Sequence, residues 1–211
     1  MDEFLDALLY PRARQKRSPD PGPLGDYSAY KPHFQAEFRR KCVYCRISDG
    51  LKGYEGFGVD HYLPKSKFPA LTTAWSNLFY ACNVCNTAKG EVVSTPEWFL
   101  PNPCQHRMAD HLQYRGAEVE TYTPQGKWLA ELLSLEDRKG LRELTLSALG
   151  HFLTTRNELL RDLIACEAEL GESRNRSRKR ALQAAIRAMA EELERVDSHI
   201  ELLTGEPVQR R

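Results

Sequence analysis

The sequence predicts an α+β protein: a small ββα unit stapled by cysteines, with irregular extensions, followed by an antiparallel helical hairpin. Three observations lead there. Two Cys-x-x-Cys pairs, Cys42/Cys45 and Cys82/Cys85, bracket a β-rich run. A second β-rich run leads into the last pair, and a short helix-forming stretch follows it. Beyond Leu141 the composition turns to helix formers, with apolar residues spaced alternately four and three apart.

In chain order, residues 2–10 are expected to form a short amphipathic helix with Phe4, Leu5, Leu8 and Leu9 on one side, ended by Pro11. From Pro11 to Pro32 the chain is rich in Pro, Gly, Ser and basic residues and reads as an extended arm instead of a packed element. His33 to Lys41 reads as a helix leading into the first cysteine pair. Gly58 to Leu63 suggests a strand stopped by Pro64, and Leu78 to Ala81 its antiparallel partner. Asn86 to Lys89 should open a short helix that Gly90 ends. Residues 91–140 read as irregular, with one hairpin near Gly116 or Gly126. Leu182, Ile186, Met189, Leu193, Val196, Ile200 and Leu203 hold one helical stripe. Leu149, Phe152, Leu159, Leu163, Cys166 and Leu170 hold another, interrupted by Arg156, and Gly171 to Asn175 supplies the turn between them. The expected division is an N-terminal segment and arm (1–32), a central domain (33–140) and the hairpin (141–211).

Composition sets limits. With Lys+Arg at 30 and Asp+Glu at 29 the net charge is +1, so any contact with phosphate must come from local patches, not a global basic field. The start of the chain is acidic where an export signal needs positive charge, and no run reaches the ~20 apolar residues of a membrane span. A soluble, cytoplasmic protein is expected, in a compartment that keeps thiols reduced.

A two-residue gap lets both sulfurs of a pair face one point, and two pairs supply the four-thiolate set that Zn²⁺ takes at ~2.3 Å per bond. Cys42, Cys45, Cys82 and Cys85 are therefore the expected ligands of a structural zinc, whereas Cys104 and Cys166 lack a neighbouring partner and read as ordinary thiols. Between the pairs stands Asp60-His61, and Asn86 follows the last cysteine. An imidazole can take a proton from water near neutral pH, and Asp and Asn oxygens suit Mg²⁺ or Mn²⁺. The chemistry such a set suits is phosphodiester hydrolysis, with His61 as base and a catalytic divalent ion on Asp60 and Asn86. Neighbouring residues of a regular strand point to opposite faces, so bringing Asp60 and His61 to one phosphate requires a distortion or the metal itself.

Asp60-His61, Asn77-Leu78, Cys82-x-x-Cys85-Asn86 and Lys89-Gly90 together resemble the HNH, or ββα-metal, endonucleases that carry zinc-binding cysteines. The resemblance spans about Lys41 to Gly90 and implies a zinc-stapled ββα-metal nuclease core within 33–140. By position it makes His61 the general base and Asn77 the central Asn that orients the base-carrying loop. Asn86 stands where His is common, and Lys89 where a basic residue is often near the phosphate. It implies 5′-phosphate and 3′-hydroxyl ends. More loosely, residues 60–69 and 77–82 are similar to the HNH subunits of Septu and certain retron anti-phage defence systems, which implies an ATPase partner and DNA as substrate ahead of RNA. Lys65 and Lys67, on the loop after His61, are the further expected nucleic-acid contacts.

Plainer readings stand beside these. The pairs and Asn86 also suit a catalytically silent zinc adaptor for nucleic acid or a protein partner, and the same chemistry would cut RNA, transfer RNA included. His106 and His111 read as polar surface or core residues, and Trp75, Trp98 and Trp128 as core or loop anchors. The run Arg174, Arg176, Arg178, Lys179 and Arg180 reads as a solvated tip, with contact to nucleic acid or an acidic partner as the alternative. The two stripes should pack on each other and on the central domain, with a partner or self-association surface an added expectation.

Overall fold

The computed structural model describes residues 2–95 and 97–208. Helix α1 (Asp2–Asp6) is shorter than expected, but Phe4, Leu5 and Leu8 do pack together with the base of the hairpin. The stretch 11–26 is extended yet held down, which corrects the reading of a free arm. Gln15 N–H donates to Pro103 O at 2.9 Å, and Arg17 donates to the carbonyls of Trp75 and Leu78 at 2.6 and 2.9 Å. The Arg17 guanidinium lies 5.1–5.7 Å from the ring centres of Phe34, Phe38, Trp75 and Phe79 and pairs with Glu37 at 3.1 Å. Cation–π contact and carbonyl acceptors together anchor what the Pro- and Ser-rich composition alone leaves loose.

Helix α2 (Lys31–Glu37) starts earlier than expected, with Pro32 in its first turn, and stops before Arg39 and Arg40, whose φ angles are 51° and 59°. After the first cysteine pair comes the single turn α3 (Asp49–Lys52), capped by Ser48. Strands β1 (Phe57–His61) and β2 (Leu78–Cys82) pair antiparallel, Asp60 opposite Phe79 and His61 opposite Leu78. Helix α4 (Asn83–Lys89) follows at once, its N-terminus capped by the Cys82 sulfur and its end turned by Gly90. This ββα unit sits in an aromatic core with Phe34, Phe38, Phe57, Trp75, Phe79 and Tyr80.

Residues 91–138 hold one hairpin, β3 (Leu112–Arg115) with β4 (Glu118–Thr121), turning at Gly116. Gly126, the other candidate for that turn, lies inside helix α5 (Pro124–Leu132), which the sequence reading missed. A Cβ on Gly126 would come within 1.9 Å of His111 O, so glycine is there for close approach, not for a turn.

Helices α6 (Lys139–Glu172) and α7 (Arg176–Thr204) form the hairpin. Arg156 pairs with Asp197 at 2.7 Å, Glu169 with Arg178 at 2.5 Å, and Phe152 stacks on His199; the falling number against the rising one establishes the antiparallel course. Leu149, Leu153, Val196, Ile200 and Leu203 close a second core with Leu8. The base of the hairpin is part of the body: Arg142 donates to Leu8 O at 2.9 Å and Gly116 O at 3.1 Å, and Ser48 donates to Leu202 O at 2.6 Å. Glu206, just past α7, accepts from Lys41 at 2.7 Å. A Cβ on Gly50 would meet Leu202 O at 2.2 Å, so α7 and α3 touch backbone to backbone.

Candidate active site and metal centre

The metal-binding half begins with the cysteines. Cys42 and Cys45 lie on a tight turn in which Arg46 N–H donates to Cys42 O at 3.0 Å and Arg46 itself takes φ 61°. Cys82 ends β2 and Cys85 lies in the first turn of α4. Val43 N–H donates to Tyr80 O at 3.0 Å, which ties the first turn to β2. All four sulfurs are buried and lie within 4.8 Å of one another, and none forms a disulfide. A tetrahedral ion ~2.3 Å from each sulfur needs sulfurs about 3.8 Å apart. Cys45 and Cys82 are 3.7 Å apart. Donor chemistry and spacing thus fit one structural zinc. Arg138, just before α6, donates to Cys85 Sγ at 2.7 Å and Leu133 O at 2.8 Å. Burial alone would lower its pKa, but the Cys85 and Cys45 thiolates outweigh that and hold it above the usual guanidinium value. A buried cation against a thiolate offsets the surplus charge of a four-sulfur zinc centre and orients the ligand.

The cysteine turn also reaches the candidate active site. Tyr44, between Cys42 and Cys45, donates its hydroxyl to Asp60 Oδ2 at 2.6 Å. Lys89, at the end of α4, donates to Asp60 Oδ1 at 2.9 Å and to His61 O at 2.7 Å. The side chains of Lys89 and Asp60 are 0% and 2% exposed. Two expectations change as a result. Lys89 is not placed to meet a phosphate, because its ammonium is spent inside the protein. Asp60 is not a free ligand, because each of its oxygens already accepts a hydrogen bond.

His61 leaves β1 on the side opposite Asp60, as strand alternation requires. Its Nε2 lies 2.9 Å from Thr72 O, and its ring packs edge-on against Tyr27 at 4.6 Å. A carbonyl only accepts, so Nε2 carries the proton and the neutral ring presents its lone pair at Nδ1. Burial outweighs the Thr72 contact and lowers the His61 pKa below the ordinary imidazole value. Asn77, buried just before β2, clamps the intervening loop. Its Oδ1 accepts from Leu63 N–H at 2.8 Å, and its Nδ2 donates to Leu63 O at 3.0 Å and Leu71 O at 3.2 Å.

Asn86 is half-buried on α4, and its Nδ2 lies 3.8 Å from where a Cβ on Gly58 would stand, beside the Asp60 side of β1. Thus Asp60 and Asn86 share one side of the strand and His61 takes the other. Lys65 and Lys67 are exposed on the clamped loop; Lys65 donates to Tyr27 OH at 3.1 Å and Lys67 to Glu91 O at 2.9 Å. His106 and His111 sit apart from this site, 6.1 Å from each other, with Nδ1 of each bonded, to Asn102 N–H and to the Thr123 hydroxyl. Sequence reasoning missed Tyr44, Tyr27 and Arg138. Only Tyr44 carried a local signal, its place inside a cysteine turn.

Residues 42–91 match the family model described as HNH endonuclease. Over 97 residues the chain is 33% identical to the Septu protein PtuB of Bacillus thuringiensis, a match covering 45% of this chain and 36% of that relative. The chain therefore aligns with little more than a third of the relative's length. No solved structure matches. No helix among the described residues is long and apolar enough to cross a membrane. The matched segment contains both cysteine pairs, β1, β2 and α4, and ends one residue past the turn at Gly90, so the similarity to HNH endonucleases falls on the ββα unit and its cysteine cluster.

Proposed function

We propose that the protein hydrolyses phosphodiester bonds of nucleic acid, DNA ahead of RNA, with His61 as the general base. One observation carries this reading: Nε2 is occupied by Thr72 O, so Nδ1 is the basic nitrogen, in a ring whose pKa burial lowers and so biases toward the neutral form a base needs. Nδ1 takes a proton from water as its oxygen attacks phosphorus, and the bond to the 3′ oxygen breaks, giving 5′-phosphate and 3′-hydroxyl ends. Asn77 holds the loop that supplies Thr72 and so positions the base. Lys65 and Lys67 are the basic residues offered to the backbone on that loop. A divalent ion, Mg²⁺ or Mn²⁺, would supply charge stabilisation at the leaving oxygen. Asp60 and Asn86 do not fit it as they stand, because Asp60 is engaged by Lys89 and Tyr44, and no step is routed through it.

Similarity to a Septu protein supports a place in anti-phage defence; to this we add the cytoplasm, an ATPase partner and, because their far half is only partly covered, α6 and α7 as its docking surface. Plasmid cleavage in Mg²⁺ or Mn²⁺, with the partner present, is the test. His61→Ala should cut the rate by about 10²–10⁴-fold while zinc content and melting temperature stay unchanged. Equal cleavage by the variant removes His61 from the mechanism. Labelled DNA and RNA, offered together, separate the two substrates.

The engaged state of Asp60 favours a second reading, a non-catalytic zinc adaptor for nucleic acid or protein. It predicts binding that survives His61→Ala and no cleavage with any partner, nucleotide or divalent ion.

A further inference from the structure

The Lys89 ammonium touches a carboxylate oxygen of Asp60 at 2.9 Å and the main-chain oxygen of His61 at 2.7 Å. Carboxylate, carbonyl and amide oxygens are the ligands that Mg²⁺ and Mn²⁺ prefer. A third oxygen donor is at hand. Asn86 lies one turn before Lys89 on α4, so the two share a helix face, and Asn86 lies by Gly58, two residues before Asp60 on the same side of β1. The surroundings of the ammonium are therefore those of a small cation site built from hard oxygens.

We propose that Lys89 is the resident cation of this site and sets the domain's divalent requirement. A metal ion enters by displacing the ammonium from Asp60 Oδ1 and His61 O, with Asn86 as the additional ligand. Tyr44 keeps its hydrogen bond to Oδ2 throughout and holds the carboxylate against the cysteine turn. The buried pair is thus a competitor for metal at Asp60.

This proposal rests on the nuclease reading for its purpose, but its test needs no cleavage. The full-length, zinc-loaded protein is titrated with Mn²⁺ in the absence of nucleic acid. Bound ion is counted by electron paramagnetic resonance, and melting temperature is followed in parallel. The variants are Lys89→Met and the double variant Lys89→Met/Asp60→Asn.

Lys89→Met leaves a buried carboxylate without its cation, so it should melt below wild type without Mn²⁺ and regain melting temperature as Mn²⁺ is added. Its Mn²⁺ affinity should exceed wild type at least tenfold. The double variant, with neither charge, should fold without needing Mn²⁺ and lose that gain in affinity. Equal Mn²⁺ affinity in Lys89→Met and wild type overturns the proposal. So does a Lys89→Met protein that Mn²⁺ does not restabilise, which would make the pair purely structural, and so does a gain that survives in the double variant. Tight, Asp60-dependent Mn²⁺ binding without cleavage of any nucleic acid would sink the nuclease reading alone. Cleavage without the affinity gain would sink this proposal alone.

Discussion

Around the cysteines, Cys42, Tyr44, Asp60, Cys82 and Lys89 are almost wholly removed from solvent, whereas on the far half of the hairpin Leu163, Leu170, Ile186 and Met189 are only half covered. Ile164 is 48% exposed there. The first region is closed by contacts between residues far apart in sequence, thiol to thiol and Tyr44 to Asp60 to Lys89. The second is closed only by two helices facing each other, which bury Leu182 but leave the other stripe residues there half covered. Folding therefore depends on the first region, and the second has apolar surface to spare for a partner or a second copy of the chain.

The largest expected effect comes from removing zinc. A structural zinc contributes about 10–16 kcal/mol in small zinc-dependent folds, as much as the whole stability of an ordinary domain. Chelation, or Cys82→Ser, should abolish the cooperative melt of the ββα unit, followed by circular dichroism. Metal-free protein that melts like the loaded protein would leave the cysteine cluster as packing only.

A smaller effect separates matched positions in the two regions. Ile200 is fully buried at the base of α7 and Ile186 is half covered further along the same stripe. Ile200→Ala should cost about 2–5 kcal/mol, and Ile186→Ala clearly less, in chemical denaturation of the otherwise unchanged protein. Equal losses would mean that the far half is already enclosed, for instance in a dimer.

The smallest effect concerns pH. Burial lowers the His61 pKa, so at a pH where a free imidazole is half protonated the larger part of this ring population is neutral. If His61 is the general base it works when neutral, so cleavage should rise with pH through a midpoint below about 6.5. A midpoint above the free-imidazole value, with chemistry limiting the rate, would mean that the ring is not buried as described.

Much of the first region was legible because its signals are local. Cysteine spacing fixes a ligand set, β-rich runs mark β1 and β2, and Gly90 marks the end of α4. The order of Asp60-His61, Asn77 and Asn86 carried the family. The Tyr44–Asp60–Lys89 network was not legible, because its members are 16 and 29 positions apart and meet only after β1 and β2 pair and α4 folds back. Helix α5 escaped because Pro124 and Gly126 read as breakers. The Thr123 cap, Pro124 in the first turn and Leu129, Leu132 and Leu133 were the signals available for it. The hairpin stripes were plain from their spacing. The depth to which they are covered was not, because coverage depends on how far the body reaches along them. For the same reason the boundary at 141 divides what Arg142, Ser48 and Glu206 join.

Helix α7, at about 1.5 Å per residue, is a rod whose far end stands in solvent and whose near end rests on Ser48, Gly50 and Lys41. Any protein that grips the tip therefore holds a handle whose pivot lies beside the residue preceding Cys42. Ser48 and Lys41, which hold that near end, flank the turn that carries Tyr44, so leverage at the tip would bear first on the contacts either side of the Tyr44–Asp60 hydrogen bond.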